Sequence, residues 1–142
     1  MRVFYLFHIN DNFYSLYKDI PSSLFNILKQ VHRIAPSDID YAMNIFYQVN
    51  TDIPKEELDR KLFLELHQET TYKKEKDIHF YNNMYFNEES IMEIRHNYIK
   101  IKTNKDLSYF LKVLVSYQLN YFVCDFKNQD YFFLNGIQAY IR

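Results

Sequence analysis

The chain contains a single glycine, Gly136, which lies close to its C-terminal end. Phosphate-binding loops, dinucleotide-binding fingerprints and nucleophile elbows all need glycines where the backbone approaches a ligand or turns sharply. None of these motifs can be built from this sequence. The folds that depend on them are therefore excluded, together with the reactions that they support, whereas enzymes of other kinds are not.

The rest of the composition is typical of one globular domain. The chain has 142 residues, of which 48% are hydrophobic and 25% are charged. A domain of this size needs neither a disulfide nor a metal ion to hold its core, and we expect one domain over residues 1–142. Aromatic residues reach 19%, as 13 Phe and 14 Tyr. Tyrosine suits both cores and interfaces, because its large apolar ring carries one polar group.

The charges argue against a nucleic-acid partner. The formal net charge is −1, from 17 Lys and Arg against 18 Asp and Glu, whereas binding to a phosphate backbone depends on clustered positive charge. The basic clusters, Lys73–Lys76 and Lys100–Lys105, are interleaved with acids or follow the polar face of a strand. We predict that both clusters are solvated; a nucleic-acid site would need a contiguous basic surface.

Targeting signals and reactive cysteines are not evident. No signal peptide is visible, and no apolar run approaches the ~20 residues of a membrane helix. The single cysteine, Cys124, lies in the apolar run Tyr121–Asp125 and is interpreted as a small buried hydrophobe. A soluble protein of the reducing cytoplasm, without membrane contact, is therefore expected. The sequence carries no signal for an oligomeric state.

Hydrophobic spacing predicts a strand and then helices in the first half of the chain. Arg2–His8 alternates and favours a strand. The helices are indicated by capping residues, by proline positions and by apolar residues at helical spacing. The first helix runs from Asn10 or Asp11 to about Lys18, and the second from Pro21 to about Arg33. Pro36 ends the second helix, and Ser37 caps a third from about Asp38 to Gln48. A fourth helix runs from Pro54 to about Gln68.

The second half is predicted to consist mainly of strands. An exposed loop or frayed helix end is expected over 69–77, followed by strands over Ile78–Phe86 and Ser90–Thr103 with a tight hairpin turn at His96-Asn97. A helix over Lys105–Gln118, capped by Asn104, comes next. The last expected element is a hairpin of Asn120–Phe126 with Asp130–Leu134. The whole predicts an α+β fold with a single mixed, largely antiparallel sheet packed with helices, an α/β sandwich.

The side chains that could carry chemistry are scattered. No pair of histidines has the H-x-x-x-H spacing of metal ligands, so we predict neither a metal site nor a cofactor. Asp125 stands out, because it interrupts a strand that otherwise looks buried. We interpret it as the outward half of that strand or as a side chain that shapes the following turn. A catalytic role would require an enclosed pocket that joins Asp125 to a histidine.

The first short helix carries an apolar stripe formed by Phe13, Leu16, Tyr17 and Ile20. Helical spacing puts all four residues on one face. The spacing is compatible with a core contact and also with an exposed patch, because aromatic residues are favoured anchors of protein interfaces. The sequence pattern leaves both interpretations open.

Two blocks at the ends of the chain carry a family resemblance. They consist of Phe4-Tyr5-Leu6-Phe7 with Ile9, Phe13 and Tyr17, and of Tyr121–Phe126 with Tyr131 and Leu134-Asn135. Together they resemble the start and the closing hairpin of the sporulation inhibitor of replication protein SirA of Gram-positive spore-forming bacteria. The chain departs from that family in its last strand, where Phe133 and Gly136 stand in place of Trp and Pro.

The resemblance implies a protein-binding inhibitor rather than an enzyme. SirA-like proteins bind the N-terminal domain of the replication initiator DnaA and block new rounds of chromosome replication as sporulation begins. Phe13 and Tyr17 match the family's partner-facing aromatic residues, and Gln48 flanks the same surface. On this interpretation Leu16 and Ile20 lie nearer the core. The alternatives are a different protein partner for the same fold, a small enzyme that uses Asp125 and histidines, and a nucleic-acid-binding protein.

Overall fold

The computed structural model describes residues 1–33, 39–117 and 119–136 of the chain. Pro36 and Ser37, which we predicted to end one helix and cap the next, lie outside these ranges. Gln118 and the tail from residue 137 onward also lie outside them.

The described residues form five helices and seven strands. In chain order these are β1 (Arg2–His8), α1 (Asp11–Tyr17), α2 (Pro21–Arg33), α3 (Ile39–Val49), α4 (Lys55–Leu66), β2 (Tyr72–Glu75), β3 (Ile78–Asn83), β4 (Glu88–Ile94), β5 (Ile99–Thr103), α5 (Tyr109–Val115), β6 (Tyr121–Asp125) and β7 (Asp130–Phe133). The first strand, the four helices that follow it and the two predicted hairpins of the second half are therefore confirmed.

The seven strands form one sheet in the order β2-β3-β4-β5-β1-β6-β7, in which every pairing is antiparallel. β1 comes first in the sequence but lies inside the sheet, between β5 and β6. The predicted α+β class is confirmed. The sheet that we expected to be mixed contains only antiparallel pairs among the described residues.

The alternation of side chains along β1 divides the core into two layers. Phe4 and Leu6 point into a cluster with α4 and α5, which we call the α4/α5 layer. Tyr5 and Phe7 point to the other face and pack with α1, α2 and α3, which we call the α1–α3 layer. Successive strand residues face opposite sides of a sheet, so a strand that is apolar at nearly every position must be covered on both faces.

The segment 69–77 does not match the prediction of a loop or frayed helix, because Tyr72–Glu75 forms strand β2. Among the described residues, β2 pairs only with β3 and lies at the edge of the sheet. Tyr72 is its one buried residue. Charged side chains on an edge strand discourage pairing with other chains. Here they replace the alternation of apolar residues by which a strand is predicted from sequence.

The helix predicted over Lys105–Gln118 begins later than expected. α5 starts at Tyr109, and its N-cap is Ser108, whose Oγ accepts from the Phe110 N–H at 3.2 Å. The Tyr109 N–H donates to the Glu88 carboxylate at 2.9 Å. Asn104, the predicted cap, instead accepts from the Glu89 N–H at 2.9 Å through its side-chain oxygen. A carboxylate from β4 thus replaces the local cap that the sequence indicated.

Three hairpin turns use residues other than glycine in the left-handed region. Lys76, Asn87 and Gln129 have φ values of 54°, 53° and 56°. A left-handed conformation costs a residue with a Cβ about 1 kcal/mol. The predicted turn at His96-Asn97 is closed by a hydrogen bond from the Arg95 N–H to the Tyr98 carbonyl at 2.9 Å. Asn97 is not among the residues with a positive φ.

Candidate partner-binding surface

The short helix α1 is fixed at its first turn by Asn10. The Asn10 side-chain oxygen accepts from the Phe13 N–H at 2.9 Å, which confirms the predicted N-cap. The Asn10 side-chain amide donates to the Gln48 carbonyl at 2.6 Å, and its backbone N–H donates to the Val49 carbonyl at 2.9 Å. These bonds tie the start of α1 to the end of α3 and bring Gln48 beside α1.

Aromatic rings attach α1 to the rest of the α1–α3 layer. Phe13 and Tyr17 are half-buried and stack on each other, with ring centroids 5.8 Å apart and planes inclined by 15°. Tyr14 packs edge-on against Phe133 at 5.2 Å, and its hydroxyl accepts from the Asn135 side-chain amide at 2.9 Å. No residue of α1 is fully buried, so the helix lies on the surface of its layer.

Leu16 and Ile20 are exposed, with 66% and 49% of their surface accessible. The expectation that these two residues lie nearer the core than Phe13 and Tyr17 is therefore wrong. The inward side of α1 is filled by larger rings, including Tyr14, which lies outside the apolar stripe. The stripe straddles the boundary of the core, and its aliphatic half faces solvent.

The exposed part of this surface combines aromatic, aliphatic and polar groups. Gln48 is exposed at the end of α3, next to Tyr47, which is 53% accessible. Among the charged residues, Asp11, Lys18 and Asp19 are exposed around α1. We define the α1 patch as Phe13, Leu16, Tyr17, Ile20 and Gln48. Helical spacing identified its first four members but could not tell which of them reach solvent.

Asp125 has a structural role at the β6–β7 turn. Its carboxylate accepts from the Asn128 backbone N–H at 3.1 Å, from the Asn128 side-chain amide at 2.7 Å and from Arg2 Nε at 3.0 Å. Burial alone would raise the pKa of this carboxyl, but the hydrogen bonds from Asn128 and Arg2 lower it below its usual value. The interpretation of Asp125 as a side chain that shapes the following turn is confirmed.

The other groups that the sequence singled out are Cys124 and the two basic clusters, of which Lys73 is exposed. Cys124 is buried, as predicted, and burial raises the pKa of its thiol. Lys100 lies opposite Glu93 in the sheet register, and Lys73 forms an ion pair with Glu75 at 2.5 Å. Within the described ranges, no three metal-ligating side chains come together.

No helix of the described residues is both long and apolar enough to span a membrane. No curated protein sequence matches the chain significantly. A family model does match: that of the sporulation inhibitor of replication protein SirA, over residues 2–138. Because this match covers nearly the whole chain, the protein belongs to the SirA family of sporulation inhibitors of replication.

Proposed function

We propose that this protein binds the N-terminal domain of the replication initiator DnaA through the α1 patch and so prevents initiation of chromosome replication at the onset of sporulation. Membership of the SirA family supports an inhibitor of replication. The observation that carries the choice of surface is the half-buried stack of Phe13 and Tyr17 on α1, with Leu16 of the same helix and Ile20, just after its end, both exposed.

The geometry of the α1 patch suits a binding surface. Interface energy is concentrated in a few anchors, often aromatic, that are surrounded by contacts which exclude water. Here the short segment 13–20 carries two stacked rings and two exposed aliphatic side chains. The hydrogen bonds of Asn10 hold the helix in place before binding. Such pre-organisation lowers the entropy cost of association.

The mechanism is occlusion. A small protein that covers a surface which an initiator needs for its own assembly inhibits it without any chemical step. Buried aromatic anchors lose about 2 kcal/mol or more on truncation, so a patch of this size supports a specific complex.

Isothermal titration calorimetry of the chain with the isolated N-terminal domain of the host's DnaA tests the proposal. We expect saturable binding by the wild type. Phe13→Ala and Tyr17→Ala should each weaken it by about 2 kcal/mol, roughly thirtyfold in Kd. Gln48→Ala should weaken it less, because Gln48 flanks the patch and has no aromatic ring.

The matched control is Phe63→Ala on α4. Phe63 stacks on His67 one helical turn away, with centroids 5.1 Å apart and planes inclined by 26°, as Phe13 stacks on Tyr17. This second pair belongs to a helix of the opposite layer. Phe63→Ala should bind as the wild type does. Absence of binding by the folded wild type would rule out DnaA as the partner and favour a different protein partner for the same fold.

A further inference from the structure

A chain of short hydrogen bonds crosses the α4/α5 layer from α4 to the edge strand β2. His79 on β3 is fully buried, and its Nε2 lies 2.7 Å from Asp59 Oδ1 on α4. The other ring nitrogen, Nδ1, lies 2.7 Å from the Tyr72 hydroxyl on β2. Asp59 also accepts from Lys55 Nζ at 2.6 Å through its second oxygen. α4, β2 and β3 thus meet at one imidazole ring. Of these elements, β2 and β3 are also joined by backbone pairing.

The chemistry of the partners fixes the protons in this chain. An ionised carboxylate only accepts hydrogen bonds. The Nε2 of His79 therefore carries a proton and donates a hydrogen bond to Asp59. Nδ1 is then the acceptor, and the Tyr72 hydroxyl donates to it. Every group is satisfied when the imidazole is neutral. A second proton on the ring would turn the Tyr72 hydroxyl into the acceptor, and the hydroxyl proton of this buried tyrosine would then have no acceptor among the recorded hydrogen bonds of the described residues.

The surroundings of His79 also disfavour a charged ring. Burial lowers the pKa of His79, and Lys74 and Lys55 act in the same direction, while the bond to Asp59 opposes them. Towards His79, α4 presents Lys55 and Asp59, β2 presents Tyr72 and Lys74, β4 presents Met92 in register, and α5 presents the ring of Phe110. Asp59 already has Lys55 as its counter-ion at 2.6 Å, and Asp77, an exposed acid of the β2–β3 turn, lies 3.9 Å from Lys55 Nζ. A protonated His79 would therefore share the one buried carboxylate of Asp59 with Lys55.

β2 has few other means of attachment. It is four residues long and, within the ranges that the structure describes, pairs with β3 alone. Tyr72 is the residue that β2 buries, and its hydroxyl forms the hydrogen bond to Nδ1 of His79. If β2 moves away, Tyr72 leaves Nδ1 and that side of the ring meets water, where it can take up a proton.

We propose that Asp59, His79 and Tyr72 form a proton-operated latch that holds the edge strand β2 against α4 and releases it as the pH falls. The closed state requires neutral His79, whereas the open state binds a proton with the ordinary affinity of a histidine, near pH 6.5. Opening is therefore linked to protonation and is favoured below about pH 6.5 and not above it. One proton bound only in the open state makes opening about tenfold more frequent at pH 5.5 than at pH 7.5.

Amide hydrogen exchange of the full chain at pH 7.5 and pH 5.5 tests the latch. After correction for the intrinsic exchange rate, amides shared between β2 and β3 should open about tenfold more often at pH 5.5. Amides shared between β1 and β6 should change much less. His79→Gln should abolish the difference between the two pH values, since glutamine does not titrate. His67→Gln, at an exposed histidine that bonds only to carbonyls of its own helix, should retain it.

The ring of His79 gives a second measurement that does not depend on the variant. In the closed wild-type protein, the carbon resonances of His79 should remain those of a neutral ring down to pH 5.5. Equal protection of β2 at both pH values would overturn the proposal. So would a pH dependence that persists in folded His79→Gln, or titration of His79 in the closed protein near pH 6.5.

Discussion

The two layers that cover the sheet are built from different side chains. The α4/α5 layer is mostly aliphatic, and it contains buried polar groups with specific partners, such as His79 between Asp59 and Tyr72. The α1–α3 layer is mostly aromatic. Phe25 stacks on Tyr131 with centroids 4.7 Å apart, and rings continue from there across the layer.

We infer from this difference that the α4/α5 layer governs stability and that the α1 patch governs partner binding. Buried polar bonds have one correct geometry, so the α4/α5 layer fixes the position of its helices and of β2. The α1–α3 layer is held by ring contacts and ends at a helix with no fully buried residue, beside exposed Leu16 and Ile20. We therefore expect substitutions in the α4/α5 layer to act mainly on stability and substitutions in the α1 patch to act mainly on partner binding.

The largest effect should come from the centre of the α4/α5 layer. Phe110 is fully buried on α5, and its ring contacts those of His79 and Tyr81. Phe110→Ala should lower the free energy of unfolding by about 3–5 kcal/mol, measured by urea denaturation, because it leaves a cavity. Binding by the folded fraction should be unchanged. A loss of affinity as large as the loss of stability would break the division between the layers.

A smaller effect should come from the ion pair between half-buried Arg2 and buried Asp125, on the same side of the sheet. Asp125→Asn should cost about 2 kcal/mol of stability at pH 7, since Arg2 loses a charged partner. The pKa of Asp125 is lower in the folded state, so its stabilisation is present above the unfolded value near 4 and is lost as the pH falls through the folded value.

Acid denaturation followed by circular dichroism measures this contribution. The wild type should lose stability below about pH 4 more steeply than Asp125→Asn. Parallel acid profiles for the two proteins would show that Asp125 contributes no charge-dependent stability.

A still smaller effect, confined to binding, is expected at Leu16. It lies in the α1 patch and is 66% exposed. Leu16→Ala should weaken binding to the N-terminal domain of DnaA by about 1 kcal/mol, because Leu16 would contact the partner next to the two aromatic anchors. Its urea midpoint should match that of the wild type. Unchanged affinity would restrict the interface to the rings and Gln48.

The smallest effect is expected at Leu64, which serves as the matched control for Leu16. Like Leu16, Leu64 is an exposed leucine on a helix, with 61% of its surface accessible on α4. Leu64→Ala should stay within about 0.5 kcal/mol of the wild type in unfolding and in binding. A loss of affinity here would show that the partner also reaches the α4/α5 side.

Local patterns predicted most of the elements. The alternation of Arg2–His8, the proline at the start of α2 and the cap at Asn10 each depend on neighbours in sequence, and each was confirmed. The predictions failed where a distant residue decided the outcome. β2 exists because β3 pairs with it, and α5 begins at Tyr109 because Glu88 of β4 accepts from its N–H.

The candidate site divides in the same way. By itself the sequence determined that α1 is a helix with an apolar stripe, that glycine-dependent motifs are absent and that the chain has an α+β fold and is similar to SirA, since these follow from spacing, residue type and resemblance. Only the tertiary structure decided that Leu16 and Ile20 face solvent, that Gln48 adjoins α1 and that His79 lies between Asp59 and Tyr72. The reason is that helical spacing defines directions around one helix axis, whereas burial depends on which elements of the rest of the chain occupy those directions.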